Sequence, residues 1–201
     1  MPIQVLYIHG GVTFPTHDDY LTFLRTKELS LDRLRAERDW KDNLQDTLGP
    51  TYDVLAPRMP NGTNAVYTEW ELVLSRILPL LSDGVILIGH SLGAVFLARY
   101  LSEHVSPIQI RATMLVAGPF QESDLGESLN DFLPPTDFSL LDTQGGGLFI
   151  YHSTDDPVVP YTHGELYARA LPRATFRSCE GMGHFNTASF PTLEADVRSL
   201  A

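Results

Sequence analysis

The chain has 201 residues, 43% of them hydrophobic and 19% charged, and a formal net charge of −11 at pH 7. That composition fits one folded domain with a sizeable core and excludes a disordered chain; the acidic surplus speaks against a nucleic-acid partner, which binds through a basic face. No apolar run approaches the roughly 18 residues of a membrane span, and the single cysteine, Cys179, leaves no internal disulfide.

The opening MPIQVLYIHGG has no basic segment ahead of its short apolar run. No secretory signal is therefore expected, and a cytoplasmic location is. IQVLYI (3–8) reads as a buried strand, and YDVLAP (52–57) as the next. TEWELVLSRILPLL (68–81) places Trp70, Val73, Leu74, Ile77, Leu78 and Leu81 three and four apart, which predicts a helix whose last turn Pro79 distorts. GVILIG (84–89) is a strand, and SLGAVFLARYLSEH (91–104) a helix so apolar at its start that it must be central. ATMLVAG (112–118), LFIYHS (148–153) and ATFRSC (174–179) complete the strands. THGELYARAL (162–171) and FPTLEADVRSL (190–200) complete the helices, the last with Pro191 near its start. Continuous apolar strands alternating with helices predict an α/β fold: a doubly wound, mostly parallel six-stranded sheet with helices on both faces.

Two stretches fit the alternation poorly. Residues 12–38 follow the first strand and residues 119–147 follow the fourth, both at C-terminal strand ends, where such sheets bind ligands. The expectation is one domain over 1–201 with an insertion at 12–38 and a short cap-like stretch at 119–147. The insertion is expected to be a largely helical flap that restricts substrate size. Its anchors would be Leu21, Leu24, Leu34 and Trp40, with Ser30 capping a helix.

The chemistry centres on GHSLG, residues 89–93, which matches G-x-S-x-G between a strand and a helix. A serine hydroxyl is inert near neutral pH unless a held base takes its proton. In a strand–turn–helix elbow the serine is forced outward, and Gly89 and Gly93 leave room where a Cβ would collide. The acid and the base follow at later strand ends: STDDPVVP supplies Asp155 or Asp156, and GMGHF supplies His184. The order is serine, acid, histidine. Leu92, just after the nucleophile, and Gly11 in the loop after the first strand are the expected backbone N–H donors to an oxyanion.

On IHGG, GHSLG, STDDPVVP and GHFN, with Trp70 ahead of the third strand, the chain resembles the α/β-hydrolase superfamily in its minimal form. More narrowly it is similar to the small retinoblastoma-binding-protein type of serine hydrolase and its bacterial relatives. The resemblance implies a serine hydrolase cleaving a small carboxylic ester, thioester or amide through an acyl-enzyme, with no cofactor and a small-molecule acyl substrate. Its acid usually stands four residues before the proline of D-x-x-V-P, which selects Asp156 over Asp155. The alternative is a non-catalytic interaction module that kept the fold. Retinoblastoma binding itself is not implied, because Cys179 lies in RSCEG rather than in L-x-C-x-E.

Other residues have plainer readings. His9 is expected to pack beneath the oxyanion loop and His90 to position the elbow. His17, His104, His152 and His163 lack metal-ligand spacing, so no metal is expected. His152 and Asp155 are candidates for a shared loop hydrogen bond, and Cys179 for a small apolar core residue. No lysine follows HGG at phosphate-loop spacing. Phe14, Phe120 and Phe132 are candidates for the acyl pocket.

Overall fold

A computed structural model describes residues 2–31, 35 and 38–201. Six strands form, β1 (Ile3–Ile8), β2 (Tyr52–Leu55), β3 (Val85–His90), β4 (Ile110–Val116), β5 (Gly147–Ser153) and β6 (Thr175–Cys179). They pair in the order β2-β1-β3-β4-β5-β6, and every pairing is parallel. Among the described residues the sheet is thus wholly parallel. The chain order reverses between β1 and β3. The loops leaving those two strands diverge there, which opens a crevice at their C-terminal ends. One loop carries Gly10 and Gly11, the other Ser91.

Seven helices are described: α1 (His17–Thr26), α2 (Trp40–Leu48), α3 (Tyr67–Ile77), α4 (Leu92–Glu103), α5 (Ser139–Gln144), α6 (Thr162–Ala170) and α7 (Pro191–Ser199). Alternate side chains of each central strand feed opposite cores. Leu6, Ile8, Val85 and Leu87 pack with α3, α4 and α6 on one face. Val5, Tyr7, Ile86 and Ile88 pack with α2 and α7 on the other. α4 buries nine of its twelve residues, as its apolar composition predicts. α3 ends at Ile77 and runs into a 3-10 turn over Leu78–Leu80, because Pro79 has no N–H to continue the ladder. Trp70 is fully buried, edge-on to Phe96 and Phe132, and its Nε1 donates to Pro60 O at 2.7 Å.

α2 is absent from the sequence-based expectations. Only Trp40, Leu44 and Leu48 form its apolar row, and all three are buried. Its start is fixed by a capping box: the Asp39 side chain accepts from the Lys41 N–H, and Asp42 accepts from the Asp39 N–H.

The two irregular stretches differ in anchorage. In 119–147, Leu129 and Phe132 reach the core, and Asp131 accepts from the Tyr67 N–H at 3.0 Å. α1, by contrast, has no buried residue. It is held by Phe23 and Tyr20 against Phe14, with ring centroids 5.1 and 5.6 Å apart. Leu24 is exposed, so it is not the expected anchor; Trp40 belongs to the core beneath α2. Leu34, and most of the helix expected after Ser30, lie outside the described residues. Among the described residues no helix is long and apolar enough to cross a membrane.

Candidate active site

Ser91 occupies the turn between β3 and α4 at φ 56°, ψ −121°, a conformation that L-residues avoid. The turn is possible because its flanking residues lack side chains. A Cβ on Gly89 would lie 2.4 Å from Gly93 O, and one on Gly93 would lie 2.4 Å from Ile8 O. Gly93→Ala is therefore expected to cost about 1–3 kcal/mol by overpacking α4 against β1; urea unfolding of the variant measures it, and an unshifted midpoint would contradict this account of the motif.

His184 lies in the loop after β6. Its Nε2 is 3.0 Å from Ser91 Oγ, and its Nδ1 is 2.9 Å from Asp156 Oδ2. The Asp156 side chain is fully buried, and its Oδ1 accepts from the N–H groups of Val158 (2.9 Å) and Val159 (3.0 Å). Asp155 does something else. It accepts from the Ser153 hydroxyl and from the N–H groups of Gly181 and Gly183 at 3.1 and 3.3 Å, which ties the loop after β5 to the histidine loop. The Ser153 hydroxyl, and then the backbone donors, hold its carboxyl below the ordinary aspartate value. His152 does not bond to Asp155 as the sequence suggested. It is buried, and its Nε2 pairs with Val159 O at 3.0 Å, because β5 turns its ring inward. Cys179 is only partly buried, and burial raises its thiol pKa.

The backbone near Ser91 supplies donors. Among the described residues the N–H groups of Leu92 and Gly11 meet no protein acceptor. Gly11 must be glycine, since a Cβ there would lie 2.6 Å from Gly62 O. His9 braces this loop from below: its Nε2 accepts from the Met59 N–H at 2.8 Å, so its Nδ1 donates to Gly10 O, and its ring packs on Trp70.

The histidine loop is held by groups for which the sequence predicted no such role. Trp40 Nε1 donates to Phe185 O at 2.7 Å, and the Trp40 N–H donates to Thr187 O at 2.9 Å. Lys41 Nζ reaches Asn186 Oδ1 at 3.0 Å and Asp39 at 2.6 Å. The signal for them was the capped, narrow row of α2. His90 contributes from the elbow, with its Nε2 2.9 Å from His184 O. Burial, then the Lys41 charge, pushes the His90 pKa well below 6.5, which keeps the ring neutral.

Two spaces meet at Ser91. One is an open cleft that also touches His184, Lys41, Asn186 and Phe23. The other is a small cavity behind Leu92, walled by Leu125, Leu129 and Val159. None of the three phenylalanines expected in the acyl pocket lines either space. Phe132 is fully buried against Trp70, where its whole ring leaves water. Phe120 stacks on Phe138 beside a separate groove. Phe14 faces Phe23 across a neighbouring space. His163 pins the segment after β4: its Nδ1 accepts from the Phe120 N–H at 2.8 Å, and its Nε2 lies 3.0 Å from Asp124 Oδ1. Among the described residues no group of three or more side chains could hold a metal.

A parallel sheet of this order, with a serine elbow after β3 at the switch point, is the α/β-hydrolase fold, and solved structures agree. The chain belongs to the family described as Serine hydrolase, whose model matches residues 33–199. Serine hydrolase RBBP9 of Rattus norvegicus is 28% identical over 155 residues, covering 75% of this chain and 79% of that one. The ydeN gene product of B. subtilis superposes with a TM-score of 0.72 at 21% identity, over 98% of both chains. A YdeN-like hydrolase of Pectobacterium atrosepticum does so at 0.65 and 18%, over 98% of this chain and 90% of that one. The resemblance read from the four motifs therefore holds. The family match begins after the β1 loop, so Gly11 rests on local geometry.

Proposed function

We propose that this chain hydrolyses a small carboxylic ester, thioester or amide through an acyl-enzyme on Ser91. The observation that carries the reading is the continuous bonded line from Ser91 Oγ through His184 to the buried Asp156, with steps of 3.0 and 2.9 Å. Ser91 Oγ attacks the carbonyl carbon while His184 Nε2 takes its proton. The carbonyl oxygen becomes an oxyanion facing the N–H groups of Leu92 and Gly11. The tetrahedral intermediate collapses, and His184 returns the proton to the leaving group. Water repeats the sequence on the acyl-enzyme and frees the acid. Asp156 holds the tautomer with a proton on Nδ1 and offsets the imidazolium charge.

A fluorophosphonate probe tests this directly. It is expected to label the folded wild type on Ser91 and to leave Ser91→Ala unlabelled. Folded wild type that resists the probe would favour the non-catalytic module.

The segment 12–38 acts in the same proposal as a flap. Phe23 and Lys27 line the cleft with Ser91 and His184, while α1 is weakly anchored. Such a segment can open on the microsecond-to-millisecond scale. Replacing residues 16–38 by a short Gly/Ser linker is expected to raise kcat/KM for naphthyl acetate relative to phenyl acetate by about threefold or more. An unchanged ratio in a folded variant would make the segment a decoration.

A further inference from the structure

The two spaces at Ser91 are unequal in size, and the difference bears on the acyl group. This inference rests on the hydrolase reading above. In the tetrahedral intermediate the oxygen faces Leu92 and Gly11, so the acyl chain and the leaving group must occupy opposite sides. The leaving atom takes its proton from His184 Nε2, which places it on the histidine side. That side is the open cleft, of about 520 Å³, with Lys41, Asn186, Tyr7 and Thr63 on its walls. The acyl chain is left with the cavity behind Leu92.

That cavity measures only about 30 Å³. The cleft, at about 520 Å³, is many times larger. The walls of the cavity do not yield easily. Thr13, Leu92, Leu129 and Val159 are each less than 5% exposed, and Thr13 Oγ1 donates to Ala65 O at 2.8 Å. A longer chain would have to pass between Val12 and Ser128 to reach a further space of about 290 Å³ at Phe14 and Phe23. One bond ties the two segments there, from Asn130 Nδ2 to Phe14 O at 3.2 Å, and Ser128 Oγ is itself held within its own loop, accepting from the Asn130 N–H at 3.0 Å and donating to Glu122.

We propose that the substrate is a short-chain acyl ester, of acetyl to butyryl length, whose larger, polar alcohol portion occupies the cleft beside Lys41. Leu125 sets the limit as the half-buried side chain that closes the cavity from the segment after β4.

The test is kcat/KM of the full chain for p-nitrophenyl esters from acetate to decanoate, in wild type and Leu125→Ala, with fluorophosphonate labelling of Ser91 run in parallel. The wild type is expected to prefer two to four carbons and to lose at least about 10-fold by octanoate. Leu125→Ala is expected to raise the octanoate-to-acetate ratio at least about fivefold. A wild-type optimum at six carbons or longer would overturn the proposal and leave the hydrolase intact, as would labelling of Ser91 with no ester cleaved. Absence of both labelling and turnover would instead remove the hydrolase reading.

Discussion

Ser91→Ala is expected to lower kcat by roughly four to six orders of magnitude and to leave the fold in place. The loss is large because His184 Nε2 is bonded to Ser91 Oγ, the one atom that the proposed reaction uses to form the acyl bond. Residual turnover above water is expected, since the N–H groups of Leu92 and Gly11 remain. The fold should survive because alanine keeps the Cβ and so adds no strain at φ 56°. The Ser91 N–H still donates to Val116 O at 2.8 Å. Only one half-buried hydrogen bond is lost, worth about 0.5–1.5 kcal/mol. Steady-state kinetics and urea unfolding on one preparation check both halves. Retention of more than about a tenth of wild-type kcat would remove Ser91 from its role.

What the sequence disclosed follows from how local each cause is. The central strands β1, β3, β4 and β5 were readable because each is a short apolar run that is largely buried. The elbow was readable because its cause is steric and spans five residues: Gly89 and Gly93 stand where no Cβ fits. The approach of the Asp155–Asp156 pair and His184 to Ser91 was legible because both lie in loops that follow strands on the edge that carries Ser91, whereas the preference for Asp156 over Asp155 came from the resemblance. α2 was not legible, since three apolar residues at a spacing of four make too narrow a stripe to stand out, and its value lies in partners 145 residues away, in the Phe185 carbonyl and the loop around it. The pocket failed for a related reason. Aromatic side chains gain most by burying whole rings, so Phe132 went to the core, and the space beside Ser91 was left to Leu125, Leu129 and Val159. Aromatic identity therefore said little about which residues face a ligand.

The choice between the two neighbouring aspartates yields the second large effect. Asp156→Asn is expected to lower kcat/KM by about three to four orders of magnitude, and Asp155→Asn by about fivefold or less. Both carboxylates accept three hydrogen bonds, so the number of bonds does not separate them. The kind of donor does. At Asp155 the donors are a hydroxyl and two backbone N–H groups. An asparagine carbonyl oxygen can accept all three, and the exposed position gives the NH₂ group access to water. At Asp156 the N–H groups of Val158 and Val159 both point to Oδ1. An asparagine would keep its carbonyl oxygen there, because those donors are fixed by the backbone. Its NH₂ group would then face His184 Nδ1, which must give up its proton and accept. The proton moves to Nε2, and the ring presents an N–H to Ser91 Oγ where a base is needed. Geometry is preserved and catalysis is lost through the tautomer alone. The two variants, assayed with one ester and compared by unfolding midpoint, decide the assignment: the reverse ranking at equal stability would move the acid to Asp155, and equal small effects would mean that His184 needs no fixed tautomer to take the Ser91 proton.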